Sequence, residues 1–268
     1  MKLPECKTLL LEACNGRLLV TLNRPERRNA MNDQMNSELH ALADFLHENE
    51  TIRLVVMRGA GGHFCAGGDI KERKAQTDGA TENSDPARDR NIRAGHLFDK
   101  FWNLPQTLIV VVQGSAMGGG FGLACLADLT LVQKDARLGM PETTLGIAPA
   151  QIASYVVKRI GLSRAKQMAL TGQRINGEEA YQLGIAQYLA QTAAQLEVLL
   201  ASVVDQVEHC GPRACAATKK IMHKVGDLGN TQMVEFAADI FARLNHQSEG
   251  REGHLAFVEK RKPIWTTE

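Results

Sequence analysis

A chain of 268 residues that is 44% apolar and 23% charged can bury one large core, with or without an appended helical segment. A formal net charge of +1 supplies no global field for nucleic acid or an anionic membrane, and no run of about 18 uncharged apolar residues marks a membrane span. The cysteines at 6, 14, 65, 125, 210 and 215 form neither a C-x-x-C pair nor a zinc spacing, and the N-terminus is a poor signal peptide, so a reduced, cytoplasmic protein without a metal is expected.

Residues 7–12 and 17–23 read as a hairpin turning at Asn15-Gly16. Asn32 can cap a helix in which Met35, Leu39, Leu42 and Leu46 recur every three or four residues, to about residue 47. A buried strand is expected at 52–58. Residues 71–91 are charged and nearly free of large apolar side chains, and read as a mobile surface excursion. Leu97, Phe98, Phe101 and Trp102 then mark a helix from Ala94 that stops before Pro105. Strands at 108–112 and 129–132 flank a short helix ending at Leu126. Beyond Pro149 the pattern is helical, with windows at 151–160, 163–171, 177–183, 193–209, 211–225, 231–245 and 250–260. The expected class is α/β with a helical C-terminal extension, divided as a core with the site at 1–200 and a helical region at 201–268.

Two glycine-rich turns, Phe64-Cys65-Ala66-Gly67-Gly68-Asp69 and Met117-Gly118-Gly119-Gly120-Phe121-Gly122, each follow an apolar strand and precede a segment able to start a helix. Glycine lets backbone N–H groups approach a ligand closely, and two such turns together can aim two donors at one oxygen. Pro141-Glu142 downstream offers a carboxylate to the same place. The plainer alternative is that these glycines only permit tight turns and close packing.

Several stretches resemble the crotonase (enoyl-CoA hydratase/isomerase) superfamily. They are Leu22-Asn23-Arg24-Pro25-Glu26-Arg27-Arg28-Asn29-Ala30-Met31, Phe64 to Lys71, Gly118-Gly119-Gly120, Pro141-Glu142-Thr143-Thr144-Leu145-Gly146, Leu170-Thr171-Gly172 and Phe257-Val258-Glu259-Lys260-Arg261-Lys262. The resemblance implies a spiral of ββα units, a helical trimerisation region, trimers that often pair into hexamers, and acyl-CoA thioester substrates, with coenzyme A as part of the substrate and no other cofactor. By position it implies that the N–H groups of Gly68 and Gly119 form an oxyanion hole, and that Glu142 is the acid/base. Ala66, Gly67, Asp69, Ile70 and Lys71 would line the adenine and pantetheine path, Arg24 and Arg28 the phosphates, with Ala30, Gly118 and Gly122 also in the substrate site. Phe257 and Lys260 would reach coenzyme A, frequently from a neighbouring subunit.

One departure from that pattern matters. Hydratases of the best-known type carry a second glutamate where this chain has Gly122. Three explanations follow: an isomerase needing a single base, a hydratase whose pocket is enlarged at 122 for a branched acyl group, or an acyl-CoA binder without turnover. Gly122 together with Pro149-Ala150-Gln151-Ile152-Ala153-Ser154-Tyr155 looks like the bacterial hydratases of methylglutaconyl-CoA and isohexenylglutaconyl-CoA in leucine and acyclic terpenoid breakdown. Such substrates carry a second carboxylate, for which Arg88, Arg90 and Arg93 are candidates, unless they form an ordinary solvated cluster. Tyr155 would hold water or pack in the core, and His63 and His96 read as structural.

Overall fold

The computed structural model describes residues 2–69 and 85–266. Strands β1 (Leu9–Cys14) and β2 (Arg17–Leu22) form the expected hairpin, with Cys14 opposite Arg17. Asn15 and Gly16 both have positive φ, 49° and 74°, as a two-residue turn between twisted strands requires.

From β2 onward every neighbour in the main sheet is parallel. Strands β3 (Leu54–Gly59), β4 (Thr107–Val112), β6 (Leu129–Gln133) and β9 (Tyr188–Ala190) complete the order β1-β2-β3-β4-β6-β9. Parallel strands are normally covered on both faces, and these are. Val55, Met57, Leu108, Val110 and Val112 enter a core with Met35, Leu39, Leu42 and Leu46 of helix α1 (Asp33–Glu48). Leu54, Val56, Ile109 and Val111 face the opposite way, against Leu196, Val203 and Val204 of a later helix. Two covered faces explain why β3 and β4 read as continuous apolar runs rather than as alternation.

Helix α1 begins as its sequence demands, with the Asn32 side chain accepting the Met35 N–H at 3.0 Å. Helix α2 (Pro86–Trp102) starts well before Ala94, correcting the upstream limit read from the apolar pattern. Its first turn is specified by a cap instead. Asp85 accepts the N–H groups of Ala87 and Arg88, and Pro86 takes the first helical position. The remainder of the expected surface excursion, 71–84, lies outside the described residues.

Helix α3 (Gly119–Leu126) follows β4 and the three-residue strand β5 (Ser115–Met117). β5 joins β7 (Arg137–Gly139) and β8 (Arg174–Asn176) in a small second sheet. Strands β5, β7, β8 and β9 were not expected; three residues give no legible period. Helices α4 (Ala153–Thr171, kinked at Gly161), α5 (Gly177–Gln182), α6 (Ala193–Glu208), α7 (Pro212–His223), α8 (Asn230–His246) and α9 (Ser248–Glu259) fill the expected helical windows. Among the described residues no helix is long and apolar enough to cross a membrane.

Candidate active site

The two glycine turns lie side by side. Cys65 N–H donates to Ser115 O at 2.8 Å, and Met117 N–H donates back to Cys65 O at 2.9 Å, in a parallel bridge between Cys65 and Ala116. Gly67 has φ +93° and Gly118 φ +51°, backbone that side chains rarely adopt. A β-carbon on Gly67 would stand 2.9 Å from Met117 O and 3.8 Å from Gly118 Cα, so the approach of the turns itself requires glycine there.

Accounting for the N–H groups shows which donors the two turns leave open. In the first turn, Ala66 donates to Arg28 O (2.9 Å), Gly67 to Cys65 Sγ (3.4 Å) and Asp69 to Met31 O (2.9 Å). Gly68 sits between them in a bridge with Met31, made by Met31 N–H to Gly67 O and by Asp69 N–H, so its own N–H faces away from that pairing. In the second turn Gly118 donates to Gly139 O at 2.9 Å. Gly119 is the first residue of α3, ahead of the first intrahelical bond, Gly122 N–H to Gly118 O, so its N–H has no helical acceptor. Gly68 and the leading N–H groups of α3, those of Gly119, Gly120 and Phe121, are thus the donors that the backbone pairing of these two turns leaves open.

Glu142 meets the second turn. It lies on a short 3-10 helix (Pro141–Leu145) directly after β7, the strand whose Gly139 carbonyl holds Gly118. A β-carbon on Gly118 would lie 2.9 Å from Glu142 Oε1. Thr143 donates its hydroxyl to Ala169 O (2.6 Å) and Thr144 to Pro141 O (2.7 Å), which fastens the carboxylate's support to α4 and to itself. One carboxylate beside two backbone donors can shuttle a proton at the carbon next to a carbonyl whose oxygen those donors hold.

Arg24 braces the first turn. Its guanidinium donates to Ala30 O and to Asp69 Oδ2 (3.1 Å), with both charged side chains largely buried. The two residues expected to line the coenzyme A path therefore hold one another, and the Arg24 charge is already countered. Arg28 is exposed, and its carbonyl rather than its side chain supports Ala66. Ile70 and Lys71 lie outside the described residues. Phe257 and Lys260 are exposed at the end of α9. Arg88 and Arg93 are exposed on α2.

The sequence reading missed Asn29. Fully buried, with φ +56°, it accepts the Arg24 N–H at 2.8 Å and donates to Ala60 O and His63 O at 2.9 and 2.6 Å. It ties the arginine segment to the entry of the first glycine turn. Its signal was present in Arg28-Asn29, since asparagine tolerates left-handed backbone better than most residues. His63 is structural, its Nδ1 lying 3.1 Å from Ser115 Oγ. Cys65 is buried, which pushes its thiol up to about 12 and leaves it unreactive beside the donors.

Gly122 requires a correction. A β-carbon there would fall inside the envelope of Ile152 Cγ2, 2.9 Å from Ile152 Cβ and 3.5 Å from Phe98 Cε1. The glycine does not enlarge a pocket; Ile152 fills the space in front of it. Tyr155, one turn on, packs its ring 6.2 Å from Phe98 and 5.5 Å from Trp102, and burial raises its phenol to about 12. That favours its packing role. A groove of about 800 Å³ is lined by Trp102, Tyr155, Lys158, Lys219, His223 and Ile240, and Glu142 is not part of it.

Comparison with known proteins places this arrangement. A family model described as enoyl-CoA hydratase/isomerase matches residues 12–268. Carnitinyl-CoA dehydratase of Proteus mirabilis is 31% identical over 254 residues, covering 92% of this chain and 94% of that protein. Among solved structures, Pseudomonas aeruginosa AtuE superposes with a TM-score of 0.93 at 43% identity, covering 97% of this chain and 100% of the other. An enoyl-CoA hydratase/isomerase from Marinobacter aquaeolei gives 0.94 at 42% identity, with the same coverage.

Proposed function

The chain belongs to the enoyl-CoA hydratase/isomerase family, with that family's crotonase α/β fold, and we propose that it adds water reversibly to a 2-enoyl-CoA thioester branched at C3, of the glutaconyl type met in leucine/isovalerate or acyclic terpenoid breakdown. The observation that carries the reading is the placement of Glu142 against the turn that presents the Gly119 N–H.

In this reading Gly68 and Gly119 donate to the thioester oxygen, drawing electron density from C3 and holding the enolate that forms. Losing one such donor costs on the order of 3 kcal/mol of transition-state stabilisation in comparable sites. Glu142 takes a proton from water as the water oxygen bonds to C3, then returns a proton to C2. The product gains one water, and the carboxylate ends as it began. The thioester and the two donors supply the activation, and coenzyme A enters only as part of the substrate. The branched-acyl assignment is supported by the run from Pro149 to Tyr155.

Isomerisation by the same glutamate is the second reading, and Ile152 favours it. With the space before Gly122 filled, one base is what this wall of the site offers, and moving a proton between C2 and C4 needs one. Incubation with methylglutaconyl-CoA, crotonyl-CoA and a 3-enoyl-CoA separates the two. Hydration adds the mass of water and removes the conjugated absorbance; isomerisation of the 3-enoyl thioester creates that absorbance at constant mass. Glu142→Gln is expected to abolish whichever activity is present while acyl-CoA still binds. Binding without turnover in the unaltered protein would reject both.

The same reading covers assembly and setting. Val234, Phe241, Phe257 and Val258 expose 70–85% of their surface on α8 and α9, apolar side chains that association would take out of water. Copies of this chain cover it, as a trimer or a pair of trimers, and bring Phe257 and Lys260 towards a neighbour's coenzyme A. Six free cysteines accord with a reducing, cytoplasmic setting.

A further inference from the structure

We propose that Ile152 is a specificity-determining residue of the acyl site: its branched side chain, delivered from the turn before α4, is the wall that a side chain at 122 would otherwise form. The inference rests on the acyl-CoA reading and adds to it the element that bounds the acyl group.

Three contacts carry it. Gly119 and Gly122 lie one turn apart on α3, hence on one face, and both meet the Phe98 ring, with Met31 Cε closer still at Gly119. β-Carbons at the two positions would stand 3.6 Å from Phe98 Cζ and 3.5 Å from Phe98 Cε1. The Gly119 donor, Gly122 and Phe98 thus border one space. Ile152 enters it beside Gly122, and the atoms in conflict with any side chain there include its Cβ, which is fixed to the backbone and cannot swing aside. The residue is 4% exposed, and its carbonyl accepts the Val156 N–H at 3.1 Å in the first turn of α4.

The neighbouring residue repeats the arrangement. Gln151 lies against Gly95 of α2, where a β-carbon would come 2.8 Å from its Cδ, and Gln151 Nε2 donates to Asn91 Oδ1. Two consecutive residues of one turn therefore insert against glycines on two different helices. Ile152 is held from both sides, as a wall must be if it is to discriminate by volume. Beside the thioester oxygen this wall is apolar, formed by Ile152 and Phe98. A substrate carbon beyond C2 on that side meets methyl groups.

The experiment measures dissociation constants for butyryl-CoA and the bulkier cyclohexylacetyl-CoA, two saturated thioesters that cannot be hydrated or isomerised. Unaltered protein is compared with Ile152→Gly, which removes the conflicting Cβ as well, and with the double variant Ile152→Gly/Gly122→Leu. Removing the Ile152 side chain is expected to shift the affinity ratio towards cyclohexylacetyl-CoA by about tenfold or more, the scale on which pockets discriminate by one or two methylenes. Returning volume from α3 in the double variant should bring the ratio back. In thermal unfolding, Gly122→Ala should lower Tm alone and much less in the Ile152→Gly background. An unchanged affinity ratio in Ile152→Gly, even with coupled Tm values, would reduce Ile152 to a packing residue and overturn the proposal. Failure of the unaltered protein to bind either thioester would instead reject the acyl-CoA reading.

Discussion

Gly118 concentrates several demands in one residue. Its φ of +51° with ψ −119° is backbone for glycine, its N–H holds Gly139 O, and the room for a β-carbon is bounded by Glu142 Oε1 at 2.9 Å. Gly118→Ala is therefore expected to cost about 1–3 kcal/mol in backbone strain and to push the carboxylate out of line. Turnover should fall by more than stability does. Paired measurements of kcat and Tm check this, and an unchanged kcat would show that Glu142 does not work from this position. Gly122→Glu, the change that restores a second carboxylate on paper, carries the opposite expectation here. Ile152 occupies its space, so Tm should drop with no gain in hydration of crotonyl-CoA.

Among the elements, α1 is fastened to the start of the chain by one buried carboxylate. Glu38 accepts the Lys7 N–H at 2.7 Å, the Thr8 N–H at 2.9 Å, the Thr8 hydroxyl at 2.6 Å and the Gln34 amide at 2.7 Å. Burial alone pushes this carboxyl up, but the Thr8, Lys7 and Gln34 donors together outweigh it and hold its pKa below the ordinary glutamate range. With the folded pKa depressed, the contribution is complete above the unfolded value of about 4.3 and is lost as pH falls through the folded one. Glu38→Gln should thus lower stability by about 2 kcal/mol at neutral pH, and flatten its decline on acidification below about pH 4. Denaturant midpoints at neutral pH and at pH 3 test both. A second tether fixes α7: Lys219 reaches Asp128 Oδ2 and Gln106 O, both at 2.7 Å, while Asp128 Oδ2 also accepts the Leu108 N–H of β4. Lys219→Met leaves a largely buried carboxylate without its cation, which costs about 3 kcal/mol and should loosen the C-terminal helices first in hydrogen exchange.

For the whole molecule, the exposed apolar side chains of α8 and α9 set the expectation. Phe257 alone leaves 85% of its surface uncovered. Sedimentation equilibrium should give a mass three or six times that of the 29.3 kDa chain. Phe257→Glu should shift the protein towards smaller species with weaker coenzyme A binding. A monomer with unaltered affinity in that variant would mean that the site is complete within one chain.

The sequence by itself determined the chemistry-bearing backbone. Two strand–glycine units, the second opening a helix, and a downstream Pro-Glu were legible because glycine and proline act locally, and the apolar period of α1 was legible because that helix buries one face. What it could not determine was which residues meet across the fold. That Asn29 anchors the arginine segment, that Arg24 pairs with Asp69, and that Ile152 fills the space before Gly122 are contacts separated by about thirty residues or more along the chain. Pattern reading treated Gly122 as a missing side chain and counted a larger pocket among its three explanations. Close packing is decided by what lies opposite, and only the tertiary structure shows that α4's first turn had already taken the room.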